Sequence, residues 1–335
     1  MIKRVKRRQS EYNFDGIRMD HADHIVDEYS ELNGFPISYR LPRAVVKQTN
    51  KVLKENIPHT ACLAEYMLGG KFYKEYHQDM LFDIFWGDDI ISQASKTPSE
   101  IIKNNQDLQG YNLTLKDESQ YLSILKTYNN QDGEFREIDQ YPGQLGEAGA
   151  LFKWLKLKFI PGGKMAQRPT LFVDGDESFT KKGIESTIIS EISLPREKNY
   201  EFFNKFDALN RFALNCELTS EGEAQIITET DDGFSCWIIT KDPLKETLLI
   251  AANYLPPTEK ITIEEDDGTK VATIKEGEPI FDKSIDLPSD FKIIAEIVYD
   301  QESQNYVEKA ILTEDKTLYF DELEPSEFKI YKLTR

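Results

Sequence analysis

Cysteine is scarce in this chain. Its 335 residues include three, Cys62, Cys216 and Cys236, far apart in sequence. So odd and scattered a set makes neither a disulfide framework nor a metal-ligand pattern. It suits a reducing compartment, and a cytoplasmic location is expected; a Cys216–Cys236 pairing stays open. No apolar run is long enough to span a membrane, and no secretory signal stretch follows Met1, so no membrane partner is expected. Basic residues are outnumbered, 41 Lys and Arg against 59 Asp and Glu, for a formal net charge of −18. That excludes a general phosphate-binding role, and no nucleic-acid partner is expected. The one basic run, Lys3-Arg4-Val5-Lys6-Arg7-Arg8, is short and reads as a solvated terminus. Histidine is scarce too, with four. His21 and His24 stand three apart beside Asp20 and Asp23, but no further clustered His or Cys completes a ligand set. No cofactor and no metal are expected, and calcium dependence is not legible. His59 and His77 read as loop or surface residues.

The pattern of what is present divides the chain in two. From about residue 12 to 200, short strand-like runs alternate with helical ones, which implies parallel βαβ units. Phe14 to Asp20 reads as a strand ending in polar groups. A helix over about 43–56 follows, with Val45, Val46, Thr49, Val52 and Leu53 at helical spacing. Strands are expected over Thr60–Glu65 and Met80–Trp86, then a helix end and a strand over Leu122–Tyr128. A helix over about 144–158 stops at Pro161-Gly162-Gly163, and the last strand of this half is Thr170–Val173. Polar residues gather where these strands end, the face on which a (β/α)8 barrel builds its active site. A dinucleotide-binding sheet would need a glycine-rich phosphate turn; Gly69-Gly70 and Gly162-Gly163 are isolated pairs. A helix over about 198–212 is expected next. Beyond it, nine short strand runs from 224 to 333, several separated by turn signals such as Asp231-Asp232-Gly233, suit an antiparallel β-sandwich.

Three carboxylates sit at expected strand ends: Asp20, Glu65 and Asp132. Asp20 and Glu65 are one βαβ step apart, so adjacent parallel strands would set them side by side. Two carboxyl groups about 5 Å apart are the machinery of retaining glycoside hydrolysis. One stays ionised and attacks; the other holds a proton for the leaving oxygen. Arg18, two residues before Asp20, points the same way along a pleat and would keep it ionised. Glu65, in the apolar context of Cys62-Leu63-Ala64, is expected to have less water and less compensating charge. Among 59 acidic residues, residue type alone assigns none of these roles. The aromatics Tyr66, Phe72, Tyr73, Tyr76, Phe85 and Trp86 could stack on sugar faces, but core packing is the commoner use of each.

Asp15-Gly16-Ile17-Arg18-Met19-Asp20-His21-Ala22-Asp23-His24 resembles the fourth-strand motif of the α-amylase superfamily, glycoside hydrolase family thirteen. The resemblance puts Asp20 on the nucleophile, Arg18 on its partner and His24 on the substrate-contacting histidine; Asp23 replaces a frequent lysine. Leu63-Ala64-Glu65-Tyr66 resembles the fifth-strand motif, with Glu65 as general acid/base and Tyr66 beside the substrate. Asn129-Asn130-Gln131-Asp132 resembles the seventh-strand motif. There Asp132 would clamp sugar hydroxyls, with Asn130 and Gln131 in contact with substrate. Gln131 stands where the family usually has histidine, and a glutamine cannot become cationic. Later runs, Phe159-Ile160-Pro161-Gly162, Pro169 to Phe172 and Gly175-Asp176-Glu177, resemble the eighth strand and its loop. The helix with Phe202, Phe206 and Leu209 and the strands after it resemble the family's closing segments.

The expected architecture is therefore α/β plus all-β. A partial (β/α)8 TIM barrel, strands 4 to 8, occupies 1–213, and a C-terminal antiparallel β-sandwich occupies 214–335. The implied function is retaining cleavage or transfer of α-glucosidic bonds in starch- or glycogen-derived oligosaccharides. The implied partner is an α-glucan oligosaccharide. The first three barrel strands are missing from the resemblance, so a second chain, an upstream segment or a barrel rebuilt as an oligomer is expected to supply what is missing. The alternative is a non-catalytic or partner-dependent glucan-binding subunit.

Overall fold

A computed structural model describes residues 7, 11, 16–19, 22, 29–32, 35–38, 40–57, 60–66, 73–87, 96–116, 120–127, 146–166, 168–171, 199–242, 246–255, 263–265, 268–270, 277–288, 290–311 and 316–335. The chain divides into two compact units, one of 1–89 with 111–127 and one of 90–110 with 128–335.

The first unit is built on a four-stranded parallel sheet. Its strands are β1 (Gly16–Met19), β4 (Ala61–Tyr66), β5 (Ile84–Gly87) and β6 (Ser123–Ile124), in that spatial order. A short hairpin, β2 (Tyr29–Leu32) and β3 (Phe35–Ser38), and helix α1 (Arg40–Asn56) lie between β1 and β4 in the chain. Helix α2 (Tyr73–Met80) separates β4 from β5, and β7 (Lys126–Thr127) follows β6. Helix α1 buries Val46, Thr49, Asn50 and Leu53 at a spacing of three and four, whereas Val45 faces solvent. The strand expected over Met80–Trp86 is shorter than its apolar run. Tyr76 and Met80 are a buried i, i+4 pair that favours one helical face, and Leu81 at φ 63° ends the helix before β5 begins.

Asp83 ties the first unit together. Its carboxylate accepts the Cys62 N–H at 2.8 Å and pairs with Lys54 of α1. Fully buried Asn112 braces the approach to β6. It donates to the Leu122 carbonyl at 2.8 Å and accepts from the Leu122 N–H at 2.9 Å.

The second unit has a six-stranded antiparallel sheet as its middle layer. Its order is β16 (Asn305–Ala310), β15 (Lys292–Asp300), β18 (Phe328–Thr334), β11 (Glu246–Asn253), β10 (Phe234–Thr240) and β9 (Glu223–Glu229). One face packs Trp237, Ile239, Leu248, Ile250 and Ile330 with Trp154, Leu155 and Phe159 of α4 (Gly146–Phe159) and Phe202, Phe206 and Leu209 of α5 (Tyr200–Asn215). Ile101 and Ile102 of α3 (Pro98–Asn112) join that core. The opposite face packs Phe234, Cys236, Leu249 and Ala251 against Ile280 and Ile285 of β14 (Ile280–Asp286) and Phe320 and Leu323 of β17 (Thr317–Leu323). Burial on both faces explains why β10 and β11 read as continuous apolar runs instead of alternating ones. The remaining elements are a 3₁₀ turn at Lys164–Ala166, β8 (Thr170–Leu171), α6 (Glu217–Glu221) and the hairpin β12 (Ile263–Glu265) with β13 (Gly268–Lys270).

A parallel sheet followed by an antiparallel one is the class expected from the pattern. Helices α2, α3 and α6, the β2–β3 hairpin and strand β14 were not anticipated. The three cysteines are free, which closes the Cys216–Cys236 pairing. No helix among the described residues is long and apolar enough to cross a membrane.

Candidate active site

Alternation along the parallel strands sorts the first sheet into two faces. Met19, Ala64, Phe85 and Ile124 form one row, and Cys62 lies on the same face. Cys62, Ala64 and Phe85 are fully buried. This is the helix-packed face: Phe85 meets Tyr76 of α2 edge-on at 6.4 Å between ring centroids. Burial, helped by the charge of Asp83, pushes the Cys62 thiol up to about 12, against the opposing pull of Lys54.

The other face carries Arg18, Leu63, Ile84 and Ser123 in one row, and Glu65 with Trp86 in the next. Glu65 and Trp86 are therefore at the C-terminal ends of adjacent strands. Glu65 is 7% exposed and Trp86 3%. Arg18 reaches forward from β1. Its Nη2 donates to Glu65 Oε2 at 2.8 Å, and its Cζ lies 5.0 Å from the centre of the Trp86 ring. The sequence reading expected little compensating charge around Glu65; the structure puts a guanidinium against it. A guanidinium beside a nearly buried carboxylate can orient it and hold its developing charge through a reaction.

Of the site residues expected from sequence, the structure brings Arg18 and Glu65 together. Tyr66 is the last residue of β4. Asp20, next in the chain after the end of β1, lies outside the described residues. So do His24, Asn130, Gln131 and Asp132. Of the aromatics considered for sugar stacking, Tyr76, Phe85 and Trp86 are buried. The sequence offered Trp86 only as one of several aromatics that could stack on sugar or pack in the core; its place beside Arg18 and level with Glu65 went unrecognised. Its signal is parity: two residues after Ile84, it falls on the same face as Glu65.

His77 corrects an expectation. It is buried in α2, not at the surface, and its Nδ1 is 2.9 Å from the Tyr111 hydroxyl. Burial lowers its pKa below the ordinary histidine value, and Lys54 acts the same way. Asp83 and the Gln120 backbone oppose this. Among the described residues no group of three or more His, Cys, Asp or Glu side chains is placed to hold a metal.

No protein-family profile matches the chain, and no curated protein matches it in sequence. Solved structures do match it in fold. An Anoxybacillus α-amylase superposes with a TM-score of 0.57 at 15% identity, over 99% of this chain and 62% of its own. The noncanonic maltogenic α-amylase AmyB from Thermotoga neapolitana gives 0.57 at 15% identity, over 100% of this chain and 65% of its own. Trehalose-6-phosphate hydrolase (TreA) from Bacillus licheniformis gives 0.58 at 13% identity, over 100% and 68%. The chain thus spans less than two thirds of the length of the two amylases. Over nearly its whole length it has the fold of α-amylase-type proteins.

Proposed function

We propose that this chain is the catalytic part of an enzyme that cleaves or transfers α-glucosidic bonds with retention, acting on starch- or glycogen-derived oligosaccharides. One observation carries the reading. Glu65 is a nearly buried carboxylate at the C-terminal end of a parallel strand, gripped by Arg18 of the neighbouring strand, on the sheet face opposite the one that carries Cys62, Ala64 and Phe85. The α-amylase-type fold supports it.

In this mechanism Asp20 attacks the anomeric carbon while Glu65 protonates the leaving oxygen. The glycosyl–enzyme ester is then opened by water or a sugar hydroxyl, which gives its proton to Glu65. Two inversions return the original anomer. Asp132 clamps hydroxyls of the distorted ring, and His24, Asn130, Gln131 and Tyr66 contact the sugar. Arg18 balances charge as it moves between the two carboxylates. The register of β1 on β4 ends at Met19 and Ala64, one residue short of Glu65, and the next residue in sequence is Asp20. Residues 1–213 are read as strands 4 to 8 of a barrel and 214–335 as the sandwich. β1 is an edge of its sheet among the described residues, and an upstream segment or a second chain would pair with it.

Product chromatography after incubation with a maltooligosaccharide tests this for the wild type, Asp20→Asn and Glu65→Gln. Shorter products mean hydrolysis and longer ones transfer, and both replacements should lose either by about 10²–10⁴-fold. Equal turnover in all three overturns the assignment. A second reading, a glucan-binding subunit, is favoured by the short span against the amylases and by Gln131. Retained glucan binding without cleavage in the wild type would select it.

A further inference from the structure

The indole Nε1–H of Trp86 is buried and has no hydrogen-bond partner among the described residues. An orphaned buried donor costs about 1–3 kcal/mol. Phenylalanine would fill much of the same space without that cost, so the indole ring must supply something else. What meets its face is a cation: the Arg18 guanidinium, 5.0 Å from the ring centre. Arg18, Glu65 and Trp86 come from three neighbouring strands, β1, β4 and β5. Arg18 is one row behind the other two, level with Leu63. To lie over Trp86 it must cross β4, about 10 Å at ordinary strand spacing. Its side chain is 34% exposed, so close packing alone does not hold so long and flexible a group in place. Tryptophan presents the strongest π face to a guanidinium.

We propose that Trp86 is a positioning residue: its indole face holds the Arg18 guanidinium so that the N–H fork is presented to the Glu65 carboxylate in one orientation. That this serves catalysis rests on the function proposed above; the hold itself does not.

The experiment is NMR of protein labelled with ¹⁵N-arginine. A guanidinium held on both sides rotates slowly about Cζ–Nε and gives separate Nη signals, whereas a free one gives an averaged signal. Arg18 is assigned by the signals lost in Arg18→Lys. The wild type should show separate Nη signals. Trp86→Leu should merge them, and Trp86→Phe should broaden them while leaving the urea midpoint unchanged or higher, because the orphaned donor is gone. Separate signals persisting in a folded Trp86→Leu protein would overturn the proposal. If that variant fails to fold, Trp86→Phe decides, and unchanged line widths overturn it. In turnover of a maltooligosaccharide, Trp86→Phe should lower kcat about three- to tenfold with little change in KM, the scale of a lost cation–π hold. Merged signals in a protein without turnover would leave the positioning standing and remove the glucan-cleaving reading. Unaltered signals with lowered turnover would remove the positioning alone.

Discussion

Arg18 Nη2 stands 2.8 Å from Glu65 Oε2, joining strand β1 to strand β4 through side chains as well as through the ladder. Glu65 is almost out of water while Arg18 is a third exposed. Arg18→Ala should therefore destabilise the protein by about 1–2 kcal/mol, below the 3–5 kcal/mol of a fully buried pair. Arg18→Lys keeps the charge but loses the planar fork. It should recover most of the stability and little of the turnover. Urea titration and product formation separate the two. Equal recovery of both would mean that charge alone matters at this position.

Stability should fall on mild acidification because of His77. Burial holds its folded pKa below the unfolded value of about 6.5. The folded protein thus binds this proton less tightly than the unfolded chain. The contribution is fully present above about pH 6.5 and is lost as pH drops through the folded value. Urea midpoints at about pH 7.5 and pH 5.5 should differ in the wild type, and the difference should shrink in His77→Phe. An unchanged difference would place the titration elsewhere.

Two glycines should respond to alanine with opposite signs. Gly163 has φ +70°, and an added Cβ would come 2.8 Å from Glu223 Oε1 and 2.9 Å from its Cγ. Glu223 cannot easily give way, because its Oε1 accepts from Gln109 Nε2 at 2.6 Å. Gly163→Ala should cost about 1–3 kcal/mol. Gly110 lies in α3 with nothing within 4 Å of an added Cβ. Gly110→Ala should add about 0.5–1 kcal/mol. Thermal or urea unfolding of the two variants reads both signs directly.

Thiol reactivity should distinguish the three cysteines. Cys62 and Cys236 are buried, and burial pushes both thiols up, Cys62 to about 12. Cys216 is partly exposed at the end of α5. A disulfide-exchange reagent at mildly alkaline pH should modify one thiol in the native protein and three after denaturation. Cys216→Ser should abolish the native reaction. Rapid native labelling of Cys62 would show that the helix-packed face of the sheet opens.

Much of the fold was legible because it rests on local periodicity. The continuous apolar run of β10 and the three-and-four spacing in α4 each identify an element without knowledge of its neighbours. β14 escaped because Asp282 has φ 52° and breaks the alternation, leaving Phe281 exposed beside it. Helix α3 escaped because its buried apolar residues, Ile101, Ile102, Leu108 and Tyr111, are few and separated by a polar stretch from Lys103 to Asp107, so the segment reads as a loop.

By itself the sequence determined the acidic and cysteine-poor character and the change from a strand–helix alternation to a run of strands, and it singled out Arg18, Asp20 and Glu65 as candidates. Which groups meet was decided only by tertiary structure. The parallel register puts Trp86 level with Glu65 and lets Arg18 reach both, and the same packing takes His77 out of solvent. Neighbours across a sheet are set by pairing between segments about 20 to 45 residues apart in the chain, and no local pattern encodes that pairing.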